Sequence, residues 1–180
     1  AGDVAGPAEE LKGLHRHLLK ALRHNSPRVQ FFAAISLGKH KVEEAAPALI
    51  ELAANEGSHD PYLRHAAMMG LKGALTSDQL AQLHDHESRT VRLASIVALR
   101  NLQSPSVKSF LEDQDELVLL EAARAIHDDQ SIPEALPALA QLLERPGLTN
   151  EALMRRVIYA AFRECSYPAL LSIESYLKRN

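Results

Sequence analysis

Five nine-residue segments of the chain repeat one pattern. They begin at Val29, Leu63, Val91, Val118 and Met154 and read VQFFAAISL, LRHAAMMGL, VRLASIVAL, VLLEAARAI and MRRVIYAAF. Each opens on an apolar residue and closes on another eight positions later: Leu37, Leu71, Leu99, Ile126 and Phe162. The residue before the closing one is small every time (Ser36, Gly70, Ala98, Ala125, Ala161), which lets two helices approach closely. The segments are spaced 34, 28, 27 and 36 residues apart, the range of helical-hairpin arrays. A chain built this way stacks supersecondary units instead of wrapping one central core.

Local signals agree. Ser26, Asp60, Ser88 and Asp115 stand three residues before the first four segments, where a side-chain oxygen caps the free N–H groups of a first helical turn. Pro27 and Pro61 follow two of them, at the first helical position. The last segment has Glu151 at this place, so Thr149 or Asn150 takes over the capping. Between the segments lie candidate partner helices at Pro7–Leu22, Glu43–Ala54, Ser77–His84, Ser104–Leu111, Pro133–Leu143 and Pro168–Leu177. Alternating β-branched runs and Asn-Gly or Asp-Gly hairpin turns are missing, so no sheet is expected. The longest connection is Glu144–Asn150, the next Asn55–Asp60. The expectation is one domain over residues 1–180: all-α, a right-handed α-α superhelix of about five helical hairpins plus a terminal helix.

Composition narrows the function. With 46% hydrophobic residues among 180, the chain is not generally disordered. It has no apolar run of about 18 residues, so no membrane partner is expected. It has no basic-then-apolar leader, and it starts at Ala1 instead of Met, which suggests a segment of a longer chain. A formal net charge of −3 argues against a general nucleic-acid binder, and 4% aromatics without tryptophan weaken base stacking.

Catalytic signatures are sparse. The single Cys165 excludes an internal disulfide and a thiolate metal cluster, and no local nucleophile signature surrounds it. His84 and His86 would point about 200° apart on a helix and could chelate only from a loop; His15 and His17 share that problem. His59 and His65 flank the start of one segment. Neither a His-Glu-x-x-His motif nor a glycine-rich phosphate loop occurs. No cofactor and no metal are expected. Acidic residues in the turns (Asp113, Asp115, Glu116, Asp128, Asp129) read as solvated edges, and Phe31 and Phe32 as packing.

The feature left over is a basic ladder. The second position of the repeated segment holds Gln30, Arg64, Arg92, Leu119 and Arg155; eight residues on stand Gly38, Lys72, Arg100, His127 and Arg163. Equivalent positions of a stacked array line up along one surface. The candidate partner-binding residues are therefore Arg64, Lys72, Arg92, Arg100, Arg155 and Arg163. The competing reading pairs these cations with acids of the neighbouring turns, such as Asp60, Glu87, Asp115 and Glu151.

The pattern resembles the HEAT-repeat family of α-solenoids. The resemblance lies in a proline within the first helix (Pro47, Pro137), a polar turn, and a Val-Arg-like opening to the second helix (Leu63-Arg64, Val91-Arg92, Met154-Arg155). It implies that the second helices line a concave face and that the chain is a non-catalytic binding module. The implied partner is a protein, either flanking domains of the same chain or an acidic partner in trans; no oligomeric state is assigned. The segments FFAAISLGKHK, DPYLRHAAMMGL, LEAARAIHD and RRVIYAAFREC also resemble the HEAT segment of planctomycete-type multidomain membrane-bound dehydrogenase and c-type haem-binding proteins. That likeness implies a rigid spacer in a periplasmic or secreted redox protein. No Cys-x-x-Cys-His haem attachment occurs here. Among enzymes with HEAT-like arrays, deoxyhypusine hydroxylase would need repeated His-Glu pairs, and only His86-Glu87 qualifies. A DNA glycosylase or bilin lyase is the remaining enzymatic alternative.

Overall fold

In the computed structural model, residues 7–128, 131–164 and 167–179 are described. Helices α1 (Pro7–Ala21) and α2 (Pro27–Lys39) form the first hairpin, α3 (Ala46–Asn55) and α4 (Pro61–Ala74) the second. In the third, α5 (Ser77–Ala81) runs into a 3₁₀ turn over Gln82–Asp85 before α6 (Arg89–Asn101). The fourth pairs a 3₁₀ helix, Pro105–Glu112, with α7 (Glu116–His127). The fifth pairs α8 (Leu136–Gln141) with α9 (Glu151–Glu164), and α10 (Tyr167–Arg179) ends the array. No strand occurs among the described residues. The chain is an all-α helical-repeat solenoid.

The second helices form one layer, α2 on α4, α4 on α6, α6 on α7 and α7 on α9. The repeat explains the packing: Leu63, Val91 and Val118, with closing Leu37, Leu71, Leu99 and Ile126, are buried. Small residues set the closest crossing. A Cβ on Gly73 would lie 2.0 Å from the Gly38 carbonyl oxygen, and one on Gly38 would lie 2.6 Å from that of Met69. Both obstacles are backbone, so α2 and α4 touch along a line that only glycine permits.

The first-helix row is less regular than expected. Ser104–Leu111 is not an α-helix; Pro105–Glu112 winds as 3₁₀, around buried Val107, Phe110 and Leu111. The repeats leading to α6 and α7 are the shortest, 28 and 27 residues. A 3₁₀ helix rises about 2.0 Å per residue against about 1.5 Å for an α-helix. Tighter winding therefore lets a short connection span the same layer. In the 36-residue spacing the surplus lies in the connection before α9, and α8 keeps only Leu136–Gln141 as α-helix.

The last repeat sits in a different register from its sequence alignment. Phe162, read as its closing core residue, is 53% exposed, while Leu153, Val157, Ala160 and Ala161 are buried. Asn150 accepts the Leu153 amide at Oδ1 (3.0 Å), three residues before Leu153, matching the spacing of the other caps. The repeat thus begins at Leu153, one residue before Met154. Two successive apolar residues allow either register, and the cap together with burial decides.

Candidate interaction surface

The register decides which cations align. Counted from Leu153, the position equivalent to Arg64 and Arg92 is Met154, and the one equivalent to Lys72 and Arg100 is Phe162. Arg155 and Arg163 sit one residue further along α9, about 100° around its axis from the rows they were assigned to. The aligned cations are therefore Arg64 with Arg92 and Lys72 with Arg100, in the second and third hairpins.

Arg64 and Arg92 do the same local work. Each folds back over the turn that precedes its helix: Arg64 Nη1 donates to the Gly57 carbonyl (3.0 Å), and Arg92 Nη1 donates to the carbonyls of His86 (2.6 Å) and Glu87 (3.1 Å). Arg92 also reaches the following hairpin. Its Nε lies 2.8 Å from Asp113 Oδ2 and its Nη2 3.8 Å from Asp115 Oδ2. The side chains of Arg92 and Asp113 are 14% and 8% exposed, so this ion pair is largely out of water. The Nε contact is close but out of hydrogen-bond alignment, so its attraction is Coulombic.

The acidic turns are consequently not all solvated edges. Asp115 caps α7 by accepting the Leu117 amide (3.0 Å), and it accepts a hydrogen bond from Arg89. Burial pushes its carboxyl up, but the Arg89 guanidinium and the Leu117 amide outweigh this and leave it below the usual carboxylate range. Asp128 takes Arg156 in a two-pronged pair, from Nη2 (2.6 Å) and Nε (3.0 Å). Those hydrogen bonds, aided by His127 at 3.1 Å, hold the Asp128 carboxyl low against partial burial. Asp129 and Cys165 lie outside the described residues.

Of the other ladder residues, Arg163 braces the connection after α7, donating to Ser131 Oγ (2.9 Å) and the His127 carbonyl (3.4 Å). Arg155 is exposed and makes no ion pair with a described residue; it lines a cavity of about 330 Å³ with Glu151, Arg156 and Tyr159. Arg100 is half-buried near the end of α6. Lys72, half-buried in the last turn of α4, faces a larger cavity of about 590 Å³.

The histidines separate into structural tasks. Nδ1 of His24 and of His86 accepts the backbone N–H two residues on, from Ser26 and Ser88 (3.0 Å each). Asp113 does this for Asp115 (2.7 Å). Ser26 and Ser88 themselves make no side-chain cap bond, so these two helix starts are organised one step upstream of the expected residue. His84 instead meets the edge of Phe110, and His15 pairs with His40 (3.3 Å), not with His17. Among the described residues no three His, Cys, Asp or Glu side chains gather as a metal would require.

Sequence reasoning passed over the aromatic side of the layer. Phe32 and Tyr62 are 57% and 74% exposed and, with Pro27, Phe31 and Leu63, line an apolar groove of about 320 Å³ between the starts of α2 and α4. The signal was an adjacent Phe31-Phe32 pair, which cannot turn both rings inward on one helix: the rings stand edge to face, and only Phe31 packs on the core.

Residues 16–82 match the family model for HEAT repeats. That stretch runs from the second half of α1 through α2, α3 and α4 to the end of α5. A crystal structure of an engineered protein is similar at 18% identity over 90% of this chain and 86% of that one, with a TM-score of 0.47. No curated protein matches the sequence. No helix among the described residues is long and apolar enough to cross a membrane.

Proposed function

We propose that the chain is a non-catalytic protein-interaction scaffold that presents its second-helix layer to a partner. The observation that carries this is the set of large apolar side chains left exposed on that layer, Phe32, Tyr62, Leu117, Tyr159 and Phe162. Aromatic residues and arginine are what interface cores are enriched in, and Arg28, Arg64 and Arg155 stand exposed on the same helices. HEAT repeats, the family matched by residues 16–82, generally serve as protein-binding scaffolds, which supports the reading. The ladder enters it in reduced form: Lys72 and Arg155 are the cations offered to a partner, while Arg64, Arg92 and Arg163 chiefly brace turns and connections. A DNA glycosylase would need a continuous basic face, and braced arginines on a chain of net charge −3 do not favour one.

The test is retention of proteins from an extract of the source cells on the immobilised chain, compared with the variant carrying Phe32→Ser and Tyr62→Ser. A partner held by the wild type and released by the variant is expected. Equal retention by both would overturn the proposal.

A second reading, a rigid spacer within a larger secreted redox protein, is favoured by α10, where Leu170, Leu171 and Leu177 are exposed. A native polypeptide near 19.8 kDa that takes no haem stain would overturn it.

A further inference from the structure

The cavity of about 590 Å³ opens where the C-terminal ends of α2 and α4 meet the start of α5. The apolar part of its lining, its floor, is formed by half-buried Ile35, Met69 and Leu75 and by Leu102, which is 39% exposed. Its rim carries Lys39, Lys41 and Lys72. Lys39 and Lys72 stand in the last turns of their helices, where the macrodipole alone favours a cation. Lys41 lies beyond α2 and holds a left-handed conformation (φ +53°), a place that glycine usually fills. No described carboxylate pairs with any of the three. Glu43, the one acid among the described residues lining the cavity, is engaged instead by Gln79, whose Nε2 donates to its Oε1 (3.1 Å). Gln79 is held in turn by the capping box it forms with Thr76.

Three unpaired cations around an apolar floor are complementary to an anionic ligand that also carries an apolar group. We propose that this cavity is a docking site for an acidic peptide segment of a partner protein, with an apolar side chain seated on the floor and carboxylates over the lysines. The proposal rests on the scaffold reading and names the chemistry of the partner. It adds Lys39 and Lys41, which the repeat pattern did not single out, to Lys72. A bare polyanion would use the lysines and leave the floor exposed to water, so it fits half of the site.

Panning a random dodecapeptide display library on the folded chain tests this. Enriched peptides are expected to place Asp or Glu within a few residues of Leu, Ile, Met or Phe. Affinity of a synthesised winner should fall up to about fivefold in Lys72→Ala, and at least about tenfold when Lys39, Lys41 and Lys72 are all changed to Glu. It should weaken as salt is raised. Leu102→Glu, on the floor, should also weaken it. All of these positions are at least partly exposed, so unchanged circular dichroism is expected for each variant. Neutral or basic winners, or equal binding to the triple variant, would overturn the site. So would an all-glutamate peptide of equal charge that binds as tightly as the winner. Winners indifferent to the lysines but lost with Phe32→Ser and Tyr62→Ser would keep the scaffold and remove this site; no winners at all would also remove this site, and the scaffold would still stand or fall on retention from the extract.

Discussion

At the scale of single residues, the array depends on charges placed in turns. Arg92 ties its own preceding turn to the next hairpin, with Asp113 buried against it. Removing one partner of a largely buried pair leaves the other uncompensated, which costs more than the pair itself contributes. Arg92→Ala should therefore lower unfolding stability by about 3 kcal/mol in urea titration. Arg92→Ala with Asp113→Ala together should cost less than the sum of the two, since the stranded charge is then gone. Asp128 supplies a pH dependence of definite sign. Its folded carboxyl is held low by Arg156, so it binds a proton less readily folded than unfolded. Its contribution is complete above about pH 5 and is lost as acid titrates the unfolded and then the folded group. Asp128→Asn should lower the melting temperature at pH 7 and lower it progressively less as acid protonates the carboxylate, which paired thermal scans would read.

At the scale of elements, two helices close with the same device. After α2, the Val42 amide donates to Leu37 and that of Lys41 to Gly38; after α6, the Ser104 amide donates to Leu99 and that of Gln103 to Arg100. These bonds turn the chain through a left-handed residue, Lys41 at φ +53° and Gln103 at φ +52°. A side chain there costs about 1 kcal/mol that glycine avoids, partly offset by the freedom glycine gains when unfolded. Lys41→Gly, which removes no side-chain hydrogen bond among the described residues, should raise stability by about 0.5 kcal/mol, seen as a higher denaturant midpoint at constant slope. These elements were legible in the sequence to different degrees. Asp60 and Asp115 cap as their positions predicted, because an aspartate before an apolar segment has one local task. The 3₁₀ winding of Pro105–Glu112 was not legible. Its apolar spacing suits either helix, and the span it must bridge is set by its neighbours.

At the scale of the whole molecule, stability should be graded. Each of α4, α6 and α7 packs between two other second helices, whereas α1 and α10 end the rows. In a linear array the units with two neighbours open last. Hydrogen exchange followed by mass spectrometry should find the slowest amides in α4, α6 and α7 and the fastest in α1 and α10. Uniform exchange along the chain would mean that the array unfolds as one block. What the amino-acid order determined unaided was the hairpin count, the layer of second helices and most of their buried faces, because apolar periodicity and capping are local and repeat five times. What only tertiary structure decided was the register of α9 and the fate of each cation. Leu153 and Met154 offer equivalent starts until a neighbouring helix buries one of them. An arginine reads alike on a sequence whether its guanidinium meets a partner or folds onto a turn carbonyl several residues away. Lys39, Lys41 and Lys72 meet over one apolar floor because Gly38 and Gly73 bring two backbones into contact, and closeness of that kind is a property of the packed pair, not of either strip of sequence.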